Sequence, residues 1–162
     1  MAEPGKKALR SWRRLEKVHA LVDAGLERDL KTAGLPPLIW LRALDEISRM
    51  DDGVRPFQLQ DALQIEQPAV SRLLEKMTAA GVITRTECAE DRRGWRVAAT
   101  QAGHATRDRM ADIYAEALAR HFLEYLSDKQ ARALDEILGD LLDGARTSRS
   151  AISSAPGSPS GA

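Results

Sequence analysis

LQDALQIEQPAVSRLLEKMTAAGVITR, residues 59–85, is the stretch whose reading decides the fold. Pro56 stands where a proline suits the first turn of a helix, and Leu59, Ala62 and Leu63 then fall on one face of a short helix over 56–63. After a turn at Gln64 and Ile65, a second helix begins near Gln67 and Pro68. It buries Val70, Leu73, Leu74 and Met77 at helical spacing and stops at Gly81. Val82, Ile83, Thr84, Arg85 and Thr86 then carry the β-branched content of a strand. A polar loop over 88–94 leads to a return strand over 95–98, the only hairpin candidate in the chain. Two short helices joined by a tight turn and followed by such a hairpin make a winged helix-turn-helix.

Working outward, the flanks are helical. Trp12, Leu15, Val18, Val22, Leu26 and Leu30 follow the three-and-four spacing of an amphipathic helix over 11–31, which Gly34 ends. Trp40, Ala43, Leu44 and Ile47 share one face of a helix from 37 to 50. Downstream, Thr100 caps a long helix over 101–125 with Met110, Ile113, Ala117, His121 and Tyr125 on one stripe. Ser127 and Asp128 cap a last helix carrying Leu134, Ile137, Leu138, Leu141 and Leu142. The expected organisation is mainly α: a flexible basic arm over 1–10, one domain over 11–146 and a Ser/Gly/Pro/Ala-rich disordered tail over 147–162. Within the domain, a winged core over about 37–100 is flanked by dimerisation helices at 11–32 and 101–146. The stripes of the first and last helices have no burial site in one thin chain, which points to a twofold partner.

The second helix of a helix-turn-helix enters the major groove, which is about as wide as one α-helix. Gln67, Ala69, Ser71, Arg72, Glu75 and Lys76 face away from the buried stripe of that helix; the plain alternative is a solvated face. The hairpin tip Glu90-Asp91-Arg92-Arg93-Gly94 puts arginines on a thin protrusion, which suits the enhanced negative potential of a narrow minor groove. Asp91 stands two residues before Arg93, where it can hold that arginine extended.

Taken together, LQDALQIEQPAVSRLLEKMTAAGVITR, EDRRGWRVAAT and the following QAG resemble the MarR family of regulators. The shared pattern is a Pro-x-Val-Ser-Arg recognition helix, a Gly-Val-Ile-x-Arg strand, an Asp-Arg-Arg wing and a Thr-x-x-Gly helix start. The four in this order and spacing are specific, and with the flanking helices the resemblance covers about residues 10–146. It implies that Gln67, Ala69, Ser71, Arg72 and Lys76 face the major groove, that Asp91 and Arg93 sit at the wing tip, and that Arg92 lies near the DNA backbone. It further implies a homodimer built from the first and last helices, a pseudo-palindromic double-stranded DNA operator and release by a small, often aromatic, effector. Trp12, His19, Trp40, His104 and Tyr114 are the candidates for an effector pocket, although a tryptophan on an apolar helix face is usually core. Three positions depart from the pattern: Glu66 where a Ser or Thr cap is usual, Gln64 in place of a frequent turn glycine, and Ala99 in place of leucine.

Composition sets the outer bounds. Among 162 residues, 24 Lys and Arg balance 24 Asp and Glu, so overall charge does not advertise a nucleic-acid binder; the local field at the phosphates decides. The lone Cys88 excludes an internal disulfide framework and fits a reducing cytoplasm. His19, His104 and His121 stand in no metal-ligand spacing, and neither a metal nor a cofactor is expected. Residues 1–14 are charged with no apolar run behind them, unlike a secretory signal. No nucleophile–base pair, phosphate loop or paired-ligand motif points to an enzyme. The expected function is therefore DNA-binding transcriptional regulation, with repression the leading form; a winged-helix protein-interaction module without DNA binding is the alternative.

Overall fold

The computed structural model describes residues 5–50, 52–88 and 91–153, except the side chains of 87–94 and 148–153. The chain divides after His121 into two units. The first contains α1 (Lys6–Thr32), α2 (Leu38–Ser48), α3 (Pro56–Leu63), α4 (Gln67–Ala79), β1 (Ile83–Cys88), β2 (Asp91–Ala99) and α5 (Gln101–His121). The second contains a 3-10 turn (Leu123–Tyr125) and α6 (Asp128–Ser153).

Two apolar clusters hold the first unit together. Ala43, Leu44 and Ile47 of α2, Leu59 of α3, and Val70, Leu73, Leu74 and Met77 of α4 close over Val54, Val82, Ile83 and Val97. Leu26 and Leu30 of α1 form the second cluster with Leu38 and Leu41 of α2 and with Met110 and Ala117 of α5. Trp40 packs against both clusters from the middle of α2. Close packing of this kind fixes element against element, because a shift of one methylene is felt across the core. Between the clusters' elements, Glu27 of α1 accepts the Leu38 N–H at 3.1 Å, supplying an acceptor for the first turn of α2.

β1 and β2 pair antiparallel from Ile83↔Ala99 to Glu87↔Trp95, with an irregularity between Glu87 and Cys88. The hairpin is longer than the expected 82–86 and 95–98. It also gains a third partner: Val54 and Val97 exchange two backbone hydrogen bonds, each 2.9 Å. A single-residue bridge has no periodicity to read.

Several helix ends differ from expectation. α1 begins at Lys6, so residues 6–10 are helical and not a flexible arm. Lys, Ala, Leu and Arg are good helix formers, and a charged run without Gly or Pro gives the helix no reason to stop. α6 likewise continues through 147–153, where a disordered tail was expected. No Pro or Gly stands between Gly144 and Pro156, and the Thr147 hydroxyl donates back to the Asp143 carbonyl at 2.9 Å. Residues 154–162 lie outside the described residues. α5 stops at His121 and not at 125, because Phe122 leaves helical geometry at φ −139° and ψ −57°. The expected cap of α6 holds: Ser127 N–H and hydroxyl both donate to Gln130 Oε1, and Gln130 N–H reaches back to Ser127 Oγ at 3.4 Å.

The start of α5 is the tightest backbone approach. Thr100 N–H donates to the Val82 carbonyl at 3.0 Å, its hydroxyl donates to the Gly81 carbonyl at 2.7 Å, and its Oγ1 accepts the Gly103 N–H at 3.1 Å. A Cβ on Gly103 would stand 2.0 Å from the Val82 carbonyl oxygen, so only glycine fits. Gly103→Ala is therefore expected to lower unfolding stability by about 1–3 kcal/mol, the usual range for overpacking, as measured by urea denaturation.

Candidate nucleic-acid interface

The site is built on α3, the turn after it, α4 and the hairpin. α3 starts with Pro56 at its first position, and Gln58 Oε1 accepts the Arg55 N–H at 2.9 Å, which pins the entry. It ends on Gln64 in the left-handed region, φ 55° and ψ 41°, whose side-chain amide donates to the Asp61 carbonyl. Ile65 follows and packs onto the core, so the turn is anchored by an apolar contact as well as by backbone geometry. α4 then begins after Glu66, which is extended at φ −69° and ψ 149° and gives no side-chain cap; Pro68 occupies the first turn.

α4 buries Val70, Leu73, Leu74 and Met77, each no more than 7% exposed. This turns Gln67, Ala69, Arg72, Glu75 and Lys76 out to solvent and leaves Ser71 half-buried. Arg72 and Lys76 stand one turn apart on the outer face, and among the described residues neither is ion-paired. The arrangement presents two unneutralised cations beside amide and hydroxyl groups on a helix whose opposite face is locked.

The hairpin is fastened at its root. Trp95 packs on the core, and the Arg85 guanidinium lies over its ring, 4.5 Å from the centroid. Arg96 donates from Nη1 to the Gly53 carbonyl at 2.9 Å, tying β2 to the segment before α3. Neither contact was expected from the sequence; the register that brings them together was the missing information. Asp91, Arg92 and Arg93 fall within β2 and not in a loop, and their side chains lie outside the described residues, as does that of Cys88.

Among the described residues of this chain, the five pocket candidates are not gathered at one place. Trp40 and Tyr114 both pack on the α1–α2–α5 cluster. Trp12 is 60% exposed on the N-terminal half of α1. His19 is exposed, with Nε2 3.8 Å from Asp23 Oδ2, and Asp23 also receives Arg42 at 3.1 Å. His104 is exposed, with Nδ1 3.5 Å from Ser48 Oγ. An open groove does exist along α1, lined by Ala24, Glu27, Arg28, Lys31, Leu35, Pro36 and Pro37, and includes none of the five. Among the described residues no three His, Cys, Asp or Glu side chains are grouped to hold a metal ion.

Residues 33–94 match the model of the MarR family. The match spans the helix-turn-helix and the first part of the wing. The same fold extends over most of the chain in solved structures. AbsC, a MarR family transcriptional regulator from Streptomyces coelicolor, is 24% identical and superposes with a TM-score of 0.75 over 91% of this chain and 99% of its own. A second S. coelicolor MarR family regulator, crystallised in complex with DNA, is 20% identical with a TM-score of 0.77 over 89% of this chain and 91% of its own. A mutant of Escherichia coli MarR complexed with operator DNA is 20% identical with a TM-score of 0.73, over 87% and 99% respectively. The MarR fold thus accounts for the helices on both flanks as well as for the matched segment. Against this MarR frame Gln64 is the departure with a structural cost, since it adopts a left-handed conformation that glycine reaches without strain. Gln64→Gly is expected to raise stability by up to about 1 kcal/mol in thermal or urea unfolding, with α4 unchanged in position.

Proposed function

We propose that this chain is a homodimeric, sequence-specific DNA-binding transcriptional regulator of the MarR type. In this reading it acts as a repressor in the cytoplasm and is released from a pseudo-palindromic operator by a small aromatic effector. The observation that carries the reading is the outer face of α4, where Gln67, Ser71, Arg72 and Lys76 project from a helix anchored in the core and flanked by a wing. Arginine donates bidentately to guanine and glutamine to adenine, so this face has the chemistry of base readout. Lys76 supplies backbone charge, and Asp91, Arg92 and Arg93 serve the minor groove and adjacent phosphates.

Dimerisation is supported by apolar surface left open in each unit. Leu9, Trp12, Leu15, Val18 and Leu21 are exposed along α1, and Ile137, Leu141 and Leu142 along α6. Exposed stripes of this length mark association surfaces. No helix among the described residues is long and apolar enough to cross a membrane. The neutral overall charge and the absent side-chain cap at Glu66 are what a protein-interaction module would share, and the DNA assay separates the two.

Gel shift on the protein's own upstream region is expected to give a specific complex. Arg72→Ala is expected to relax preference at one base position per half-site, costing about 1–3 kcal/mol, whereas Lys76→Ala weakens all sequences alike. Arg93→Ala is expected to flatten the salt dependence by about 0.9 log–log units per lost contact. Unchanged binding in all three variants refutes the reading. Separately, removal of residues 1–32 is expected to yield monomer or aggregate in sedimentation; a well-behaved truncated dimer contradicts the assignment of α1 to the interface.

A further inference from the structure

We propose that Arg85 is a further DNA contact, a phosphate-binding arginine whose guanidinium is held ready by stacking on Trp95. The inference rests on the DNA-binding reading above and adds a residue to its interface. It starts from strand alternation: side chains two residues apart share one face of a strand. Ile83 on β1 and Val97 on β2 are buried, so Arg85 and Trp95 lie on that same core-facing side. Where the core ends, Trp95 is half-buried at its edge, and Arg85 is exposed just beyond. The register sets Arg85 opposite Val97 and diagonal to Trp95, and the guanidinium carbon lies 4.5 Å from the indole centroid.

Stacking occupies the face of a guanidinium and leaves its in-plane N–H donors free. It also restrains a long side chain that is otherwise costly to order on binding. The ring does not neutralise the charge. Most other arginines of this unit with a recorded partner are spent on carboxylates: Arg42 on Asp23, Arg49 on Glu46, Arg107 on Asp108 and Arg120 on Asp29. Arg96 is spent on the Gly53 carbonyl. Among the described residues Arg85 has no such acceptor, and it projects from the strand that packs directly on α4. A planar, pre-oriented cation with no acceptor among the described residues, next to α4, fits a phosphodiester oxygen pair.

Fluorescence anisotropy of the full-length protein on labelled operator and on an unrelated duplex, titrated with salt, tests this. Arg85→Ala is expected to weaken both duplexes by on the order of tenfold, because a charged hydrogen bond is lost. The log–log salt slope should fall by about 0.9 per protomer, hence about 1.8 per dimer. Arg85→Lys keeps the charge and should restore the slope but not the full affinity. Trp95→Phe preserves packing and a stacking face and should bind nearly as wild type; Trp95→Ala should lose affinity with the slope unchanged. Arg85→Ala with wild-type affinity and slope overturns the proposal. So does loss of base preference with an intact slope, which makes Arg85 a wing-positioning residue. If the wild-type protein binds neither duplex, the DNA-binding reading itself fails, a result distinct from either of these.

Discussion

The Val82 carbonyl is the point on which the first unit turns. It lies against Gly103 so closely that no side chain fits, and it accepts the Thr100 N–H. One residue earlier, the Gly81 carbonyl takes the Thr100 hydroxyl, and Val82 N–H itself donates to Met77 at the end of α4. The last turn of α4, the residue just before the hairpin, the residue just after it and the first turn of α5 therefore meet within a few hydrogen bonds. Each of those backbone groups is satisfied by another, which leaves no unpaired donor or acceptor to allow the elements to slide. The angle between α4 and the wing is consequently a property of the backbone and not of surface side chains. The proposed reading of two grooves requires such a fixed angle, because base-edge contacts tolerate little misplacement.

Charge in this molecule is a matter of pairing more than of total. With 24 basic and 24 acidic residues the sum is zero. Yet Asp23, Asp29, Glu46 and Asp108 hold arginines away from the reading helix, while Arg72 and Lys76 hold nothing among the described residues. Exposed ion pairs contribute little to folding. Their electrostatic consequence is larger: each pair cancels its own field and leaves the unpaired cations of α4 to set the local potential. Glu66 and Glu75, both exposed near the same face, moderate that potential at close range.

Much of this was legible in the sequence, and the reasons for the rest are specific. Val70, Leu73, Leu74 and Met77 announce α4 because its buried face repeats at the helical period, and Gly81 marks its end. Thr100 was legible as a cap because a threonine before a helical stripe has one common use. Val54 was not, because one bridging residue carries no pattern. The ends of α1 and α6 were misjudged because charge and serine content read as disorder, whereas nothing in either run breaks a helix. The aromatic and histidine candidates Trp12, His19 and His104 did not converge, because residue type alone does not say which neighbour it meets. His121 shows the same limit from the other side. The sequence sets it on the stripe of the fifth helix without naming a partner, and its Nε2 lies 2.8 Å from Asp29 Oδ2, in a space that Gly25 leaves open beneath the ring.

α1 carries two kinds of burial along a single helix. Its C-terminal part, through Leu26 and Leu30, belongs to the core with α2 and α5. Its N-terminal part continues the same spacing through Leu9, Trp12, Leu15 and Val18 with nothing of the first unit over it. A helix stabilised only by propensity is marginal in water, so the outer half depends on packing that lies beyond this unit. α6 stands in the same position, since none of its described residues is buried. In the proposed homodimer a second copy supplies the packing that each stripe lacks, because a twofold axis sets the same patch of both chains against each other. Under that proposal the same axis would duplicate α4 and the wing, as half-sites spaced about one helical turn or a multiple of it require. Association and recognition thus draw on one constraint: the rigid unit that anchors α4 also anchors the helix whose free half requires a partner.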